Sequence, residues 1–203
     1  MVLRVHTFLF ADLVGFTALT ERRGDDAAAD LAARFGTEAA RLADQHGAQV
    51  VKHLGDAVMV RGDDAAETVQ LGLRLSSELG PAHDLPPVHA GAHTGLAVER
   101  AGDWFGAAVN LAARLSTAAR GGELLLTEAA VAAAGQLRHV ELESLGARLF
   151  KNVSAPTGLY SARPRSGASS SATRLATRRP ISSRVSRTSA SGLPLGSGSS
   201  QSR

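Results

Sequence analysis

Two aspartates mark the stretches of this chain that could do chemistry. In the first, the apolar run Phe8-Leu9-Phe10 continues into Ala11-Asp12-Leu13-Val14-Gly15-Phe16-Thr17, so Asp12 stands at a strand end before a Gly-containing turn. In the second, Val51-Lys52-His53-Leu54-Gly55-Asp56-Ala57-Val58-Met59 reads as two short strands joined by a tight turn that carries Asp56. Pairing of these strands brings the two carboxylates side by side. Close carboxylates on rigid strands suit two hard cations such as Mg2+, which take oxygen ligands and leave room for substrate phosphates. Either aspartate alone reads as a helix N-cap or a turn residue; the two together, in these flanks, point to a metal site.

The elements that must position them follow from periodicity. Residues 3–11 read as a strand. Asp25 and Asp26 open a long Ala-rich helix with Leu31, Phe35 and Leu42 on its apolar face, ended by Gly47. Residues 49–61 form the hairpin. Asp63 or Asp64 starts a second helix with Val69, Leu73 and Leu79 inward, stopped by Gly80-Pro81. Residues 88–98 alternate like a strand, a turn covers 100–103, and a helix over 106–119 carries Val109, Leu111 and Leu115. A strand at 123–127, a helix at 128–134 and β-like pieces near 137–151 and 157–161 complete the body.

Strand, helix, two hairpin strands, helix, strand is the split β-α-β order of an α+β, ferredoxin-like antiparallel sheet with helices on one face. There is no G-x-G-x-x-G or P-loop motif, which excludes the common dinucleotide and Walker-type sites.

Composition narrows the class. The 203 residues, 44% hydrophobic, suffice for one good core. No window approaches the roughly 18 uninterrupted apolar residues of a membrane span, and no signal-peptide layout is present, so a cytoplasmic location is expected. Cysteine is absent, so neither disulfides nor thiolate metal sites are available. The net charge of +3 averages two unlike parts. Residues 1–143 hold all 19 acidic residues and 12 of the 22 basic ones, a formal charge of −7, and show no basic, aromatic-interleaved face for nucleic acid. Residues 164–203 contain 13 Ser with Gly, Pro and Arg and no acid, too little apolar surface to fold alone, and are expected to be disordered. The folded body is therefore placed at residues 1–163.

Four stretches in order carry a family resemblance. Phe10 to Thr17 resembles the F-x-D-x-x-G-F-T signature of class III nucleotidyl cyclase catalytic domains of the bacterial type. Lys52-His53-Leu54-Gly55-Asp56 resembles their K-x-x-G-D hairpin. Asp103-Trp104-Phe105-Gly106-Ala107-Ala108-Val109-Asn110-Leu111-Ala112-Ala113-Arg114 is similar to D-x-x-G-x-x-V-N-x-A-x-R, and Arg148-Leu149-Phe150-Lys151-Asn152-Val153 is similar to the closing L-K-G-V segment. Together the matches span roughly residues 6–161 and are specific as a set.

The resemblance implies an adenylate cyclase that forms cyclic AMP and pyrophosphate from ATP. Asp12 and Asp56 would hold two Mg2+ ions, with Mn2+ an alternative. Lys52 and Asp103 would read the purine edge: a lysine donates and a carboxylate accepts, matching adenine's ring nitrogen and exocyclic amine. Asn110 would orient the ribose and Arg114 would meet charge on the α-phosphoryl group; their i, i+4 spacing lets both converge on one phosphate. Lys151 would bind the terminal phosphates. Lys52 and Lys151 are the only lysines among 22 basic residues, and both fall on family positions. In the family the metal carboxylates come from one protomer and the purine readers and Asn/Arg pair from the other, so a head-to-tail homodimer with two equivalent sites is implied.

Two departures stand out: Asn152 replaces the usual Gly, and Glu123 occupies a region where some relatives place a phosphate-binding basic residue. Arg120 is a candidate substitute for it. His89 and His93 share a strand face without an evident third ligand, so no zinc site is expected. Trp104 and Phe105 read as core or interface. The alternatives left open are a guanylate cyclase and a catalytically silent nucleotide-binding or dimerisation module. Diguanylate cyclases and palm-type polymerases share the sheet order, but a diguanylate cyclase needs G-G-D/E-E-F where this chain has Leu54-Gly55-Asp56-Ala57-Val58.

Overall fold

The strand β1 (Leu3–Leu13) lies inside the sheet because both of its faces are apolar. Phe8 and Phe10 are buried on one side, and Leu9, Ala11 and Leu13 on the other. The computed structural model describes residues 3–80, 83–151, 153 and 155–165, all within one unit that extends to residue 168. The Ser- and Arg-rich stretch expected to be disordered lies outside the described residues, apart from Pro164 and Arg165; so does Asn152.

After β1 come α1 (Phe16–Arg23), α2 (Asp25–Gln45), the hairpin β2 (Gln49–Leu54) and β3 (Ala57–Gly62), and α3 (Ala65–Ser77). Then follow β4 (Val88–Arg100), β5 (Asp103–Phe105), α4 (Ala107–Ala118), β6 (Leu124–Thr127), α5 (Glu128–Ala134), β7 (Val140–Arg148) and β8 (Thr157–Pro164). The sheet order is β2-β3-β1-β4-β6-β8-β7, with β5 paired to β4. The β2-β3-β1-β4 part is antiparallel throughout, as the ferredoxin-like order requires.

Beyond β4 the sheet becomes mixed, because β4 and β6 run parallel. A parallel neighbour needs a long crossover, and β5 with α4 supplies it. That crossover also puts a helix on the second face, where the sequence reading had all helices on one. The larger core joins Leu9, Ala11 and Leu13 to α2 and α3 through Leu31, Phe35, Leu42, Val69, Leu71 and Leu75. The second core joins Phe8, Phe10 and Met59 to Trp104 and to α4 through Ala108, Val109 and Ala112.

Local signals explain the ends. Asp64 caps α3 by accepting the Glu67 backbone N–H at 3.0 Å, an interaction that contributes about 1 kcal/mol. α2 does begin at Asp25, but a separate helix, α1, precedes it. Gly91 allows α4 to lie on β4: a Cβ there would stand 2.2 Å from the Ser116 backbone nitrogen.

Candidate active site

Strand register brings the acidic pair together. Asp12 is opposite Ala57 of β3, one residue beyond the hairpin turn that carries Asp56. The Leu13 N–H donates to the Asp56 carbonyl at 3.3 Å, tying the turn to β1. Asp12 Oδ1 is buried with no hydrogen-bond partner among the described residues. Asp56 is pushed up from 3.8 to about 6, first by burial and then by the negative charge of Asp12. A buried oxygen without a partner and a carboxyl raised by burial and a neighbouring negative charge both fit a divalent cation bound between the pair.

A histidine completes this end of the strand. His89 on β4 is in register with Asp12. Its Nε2 donates to Asp12 Oδ2 at 3.3 Å and its Nδ1 to the Ala119 carbonyl at 3.1 Å. Only the imidazolium donates both, and the hydrogen bond to Asp12 raises the His89 pKa above its usual value against the lowering effect of burial. His93 is on the same face but turns to Thr127, with Nδ1 2.8 Å from the hydroxyl, and burial lowers its pKa. The two histidines therefore serve different partners.

Next to Asp12, Gly15 takes the left-handed conformation at φ 72 and starts α1 with no side-chain cap. The first backbone N–H groups of α1 are thus left without a capping side chain, a few residues from the carboxylates. Such a helix start attracts phosphate.

The purine-reading candidates form a second group. Lys52 is opposite Met59, which is opposite Phe10, so Lys52 lies on the α4 face of the sheet. Its Nζ donates to Asp103 Oδ2 at 2.6 Å and stands 5.9 Å from the centroid of the half-exposed Phe105 ring. Asp103 Oδ1 accepts the Trp104 N–H at 2.8 Å. The Lys52 hydrogen bond, helped by that N–H, holds the Asp103 carboxyl below its usual range. Trp104 anchors the β5 arm in the core: its ring centroid is 4.5 Å from His6 and 5.8 Å from Phe8, and Arg61 stacks on it at 5.5 Å.

Asn110 and Arg114 share the outward side of α4, Asn110 exposed and Arg114 half-buried. Among the described residues neither is bonded to Asp12, Asp56, Lys52 or Asp103. Lys151 is exposed just after Phe150, which is buried against Leu111, Leu115 and Ala119. Glu123 is engaged within its own neighbourhood. It closes its own turn, accepting the Arg120 N–H at 2.8 Å and the Ser161 hydroxyl at 2.9 Å. One chain thus assembles an acidic group and a Lys/Asp group, and displays Asn110, Arg114 and Lys151 apart from both.

With these separate groups placed, a family comparison can be set beside them. The model of the adenylate and guanylate cyclase catalytic domain matches residues 4–152. The chain belongs to this family. An adenylate cyclase of Streptomyces griseus is 41% identical over 110 residues, 54% of this chain and 28% of that protein. A pH-sensitive adenylate cyclase of Mycobacterium tuberculosis is 38% identical over 129 residues, 64% of this chain and 32% of that protein. The chain thus spans about a third or less of the length of these relatives. Its fold matches the adenylyl cyclase CyaB of P. aeruginosa with a TM-score of 0.69 at 24% identity, covering 80% of this chain and 96% of that one. It matches the guanylyl cyclase Cya2 with a TM-score of 0.70 at 21% identity, covering 83% and 96%. No described helix of this cyclase domain is long and apolar enough to cross a membrane.

Proposed function

We propose that residues 1–163 form an adenylate cyclase that converts ATP to 3′,5′-cyclic AMP and pyrophosphate, with the Ser- and Arg-rich stretch from 164 outside the catalytic domain. The observation that carries this reading is the carboxylate pair: Asp12 with a buried unpartnered oxygen, beside Asp56, whose pKa is raised first by burial and then by the charge of Asp12. Asp12 and Asp56 would hold two Mg2+ ions, with Mn2+ as substitute; an oxygen-only pair matches these cations, whose other positions go to water and phosphate. When bound, the cations activate the ribose 3′-hydroxyl and neutralise charge on the triphosphate.

The chain's own groups do the rest. The uncapped start of α1 receives phosphate oxygens. Lys52 donates to the purine ring nitrogen and Asp103, kept ionised, accepts from the exocyclic amine. That donor and acceptor set fits adenine; guanine puts a carbonyl opposite Asp103. Asn110 orients the ribose. Arg114 meets the charge that grows on the α-phosphoryl group as the 3′-oxygen bonds to phosphorus and the bridge to the β-phosphate breaks. Lys151 binds the outer phosphates.

The separation of these groups within one chain supports a homodimer. Two copies head to tail would place the Asp12/Asp56 half of one against the Lys52/Asp103/Asn110/Arg114 half of the other, and make two equivalent sites. A cytoplasmic location belongs to the same proposal, because ATP and Mg2+ are supplied there.

The test is product formation from ATP and from GTP with Mg2+ or Mn2+, for the full chain and for Asp12→Ala. Cyclic AMP that vanishes in the variant is expected. Cyclic GMP as main product would make this a guanylate cyclase. ATP binding with no cyclic product, at protein concentrations high enough to dimerise, would place it among silent nucleotide-binding modules.

A further inference from the structure

The ring of His89 fills the space between a carboxylate and a helix end. It reaches Asp12 Oδ2 with one nitrogen and the carbonyl of Ala119, the C-cap residue of α4, with the other. The side chain is 15% exposed, so little freedom remains to it. Two residues along β4, on the same face, Gly91 seats α4 so closely that a Cβ would stand 2.5 Å from Leu115 and 2.2 Å from the Ser116 backbone. The C-terminal half of α4 is thus fixed to the strand beside Asp12, and His89 is the strut at its end.

Asp12 shows the effect of that strut. One carboxylate oxygen is engaged by His89 while the other is buried and unpartnered among the described residues. A free aspartate rotates about its terminal torsion, and cation binding must stop that rotation; a side chain already held avoids the entropic cost.

We infer that His89 is a positioning residue, which fixes the Asp12 carboxylate from the end of α4 so that its second oxygen is presented to a divalent cation. The inference rests on the reading of Asp12 and Asp56 as cation ligands. Because α4 also carries Asn110 and Arg114, the same strut sets the distance between the carboxylate of one site and the helix that serves the other.

The experiment is Mn2+ binding to the full chain without nucleotide, read from the electron paramagnetic resonance signal of free Mn2+. Four proteins are compared: wild type, Asp12→Asn, His89→Asn and His89→Gln. Asparagine keeps a donor for the Ala119 carbonyl but is too short for Asp12, so H89N separates positioning from folding. Glutamine reaches toward Asp12 and supplies an amide donor.

D12N is expected to abolish the binding. H89N is expected to weaken it about tenfold, in a protein that circular dichroism shows still folded at the assay temperature, and H89Q to recover part of the loss. The Mn2+ concentration for half-maximal rate rises by the same factor in H89N, while kcat at saturating Mn2+ stays within about threefold. Wild-type Mn2+ affinity in H89N, in an assay where D12N has lost it, overturns the inference and leaves the cation reading intact. Wild-type affinity in D12N removes the cation reading and the inference together.

Discussion

The Lys52 ammonium on β2 meets the Asp103 carboxylate on β5 at 2.6 Å, although the two strands are not hydrogen-bonded neighbours in the sheet. The buried Trp104 makes this contact reachable by holding the β5 arm over Phe8 and His6. Both charged groups are about one-third exposed, so the ion pair itself adds little stability. The pair sets a fixed donor beside a fixed acceptor, the arrangement on which the proposed reading of the purine rests.

Replacing Lys52 by Glu therefore tests the base preference. The substitution removes one charged donor and sets two carboxylates against each other. It should lower kcat/KM for ATP about 10- to 100-fold, the worth of a hydrogen bond from a charged group, and raise the GTP-to-ATP ratio. Parallel initial rates with the two nucleotides measure it. An unchanged ratio would show that Lys52 does not read the base.

The carboxylate pair predicts a stability effect of unusual sign. Asp56 in the folded chain is raised from 3.8 to about 6. Between those values the folded protein holds more proton than the unfolded one, so this group makes the metal-free protein less stable as pH rises through the window, with the full cost above about 6. Asp56→Asn removes that cost. Solvent screening at this partly exposed turn leaves about 1 kcal/mol, a rise of roughly 2–4 °C in Tm at neutral pH, together with loss of Mn2+ binding. Differential scanning calorimetry across pH 4–8 without metal checks both the sign and the window. In wild type, cation affinity should fall as pH drops through about 6.

The proposed division of the site between two chains predicts complementation. Under that proposal Asp12→Asn and Arg114→Ala each remove one half of the site, and Arg114→Ala should cost about 10²–10³ in kcat. In an equal mixture half of the dimers combine one of each, and each such dimer has one intact site. About a quarter of wild-type activity should return. Two inactive variants that stay inactive when mixed, after exchange of subunits has been verified, would argue against shared sites.

How much of this could be read in the sequence depended on whether a signal was local. The helix Glu128–Ala134 and the Asp64 cap were legible because their determinants lie within one turn. Proximity of Asp12 and Asp56 was legible because a strand end and a hairpin turn each announced themselves. α1 was not: Phe16–Arg23 is mostly polar and buries only Leu19, so it has no apolar stripe to detect. The parallel β4–β6 pair depends on where α4 packs, which no local pattern states. His89 was noticed only as a partner for His93. Its actual partners, Asp12 and Ala119, come from β1 and α4, and only the tertiary register aligns them. The one available signal was its position near the start of the strand read at 88–98.

Seating of α4 on β4 gives the last prediction. At Gly91 a methyl group would meet the Ser116 nitrogen at 2.2 Å and the Leu115 carbonyl carbon at 2.5 Å. These are backbone atoms of a helix, so no rotamer change relieves the contact and α4 must move off the strand. Overpacking of this kind costs about 1–3 kcal/mol, and Gly91→Ala should unfold several degrees below wild type. Arg114 sits on the displaced helix, so kcat should fall further than the loss of folded protein accounts for, which active-site titration separates from stability. Unfolding at the wild-type temperature would mean that α4 rides higher on the sheet than the register of β4 indicates.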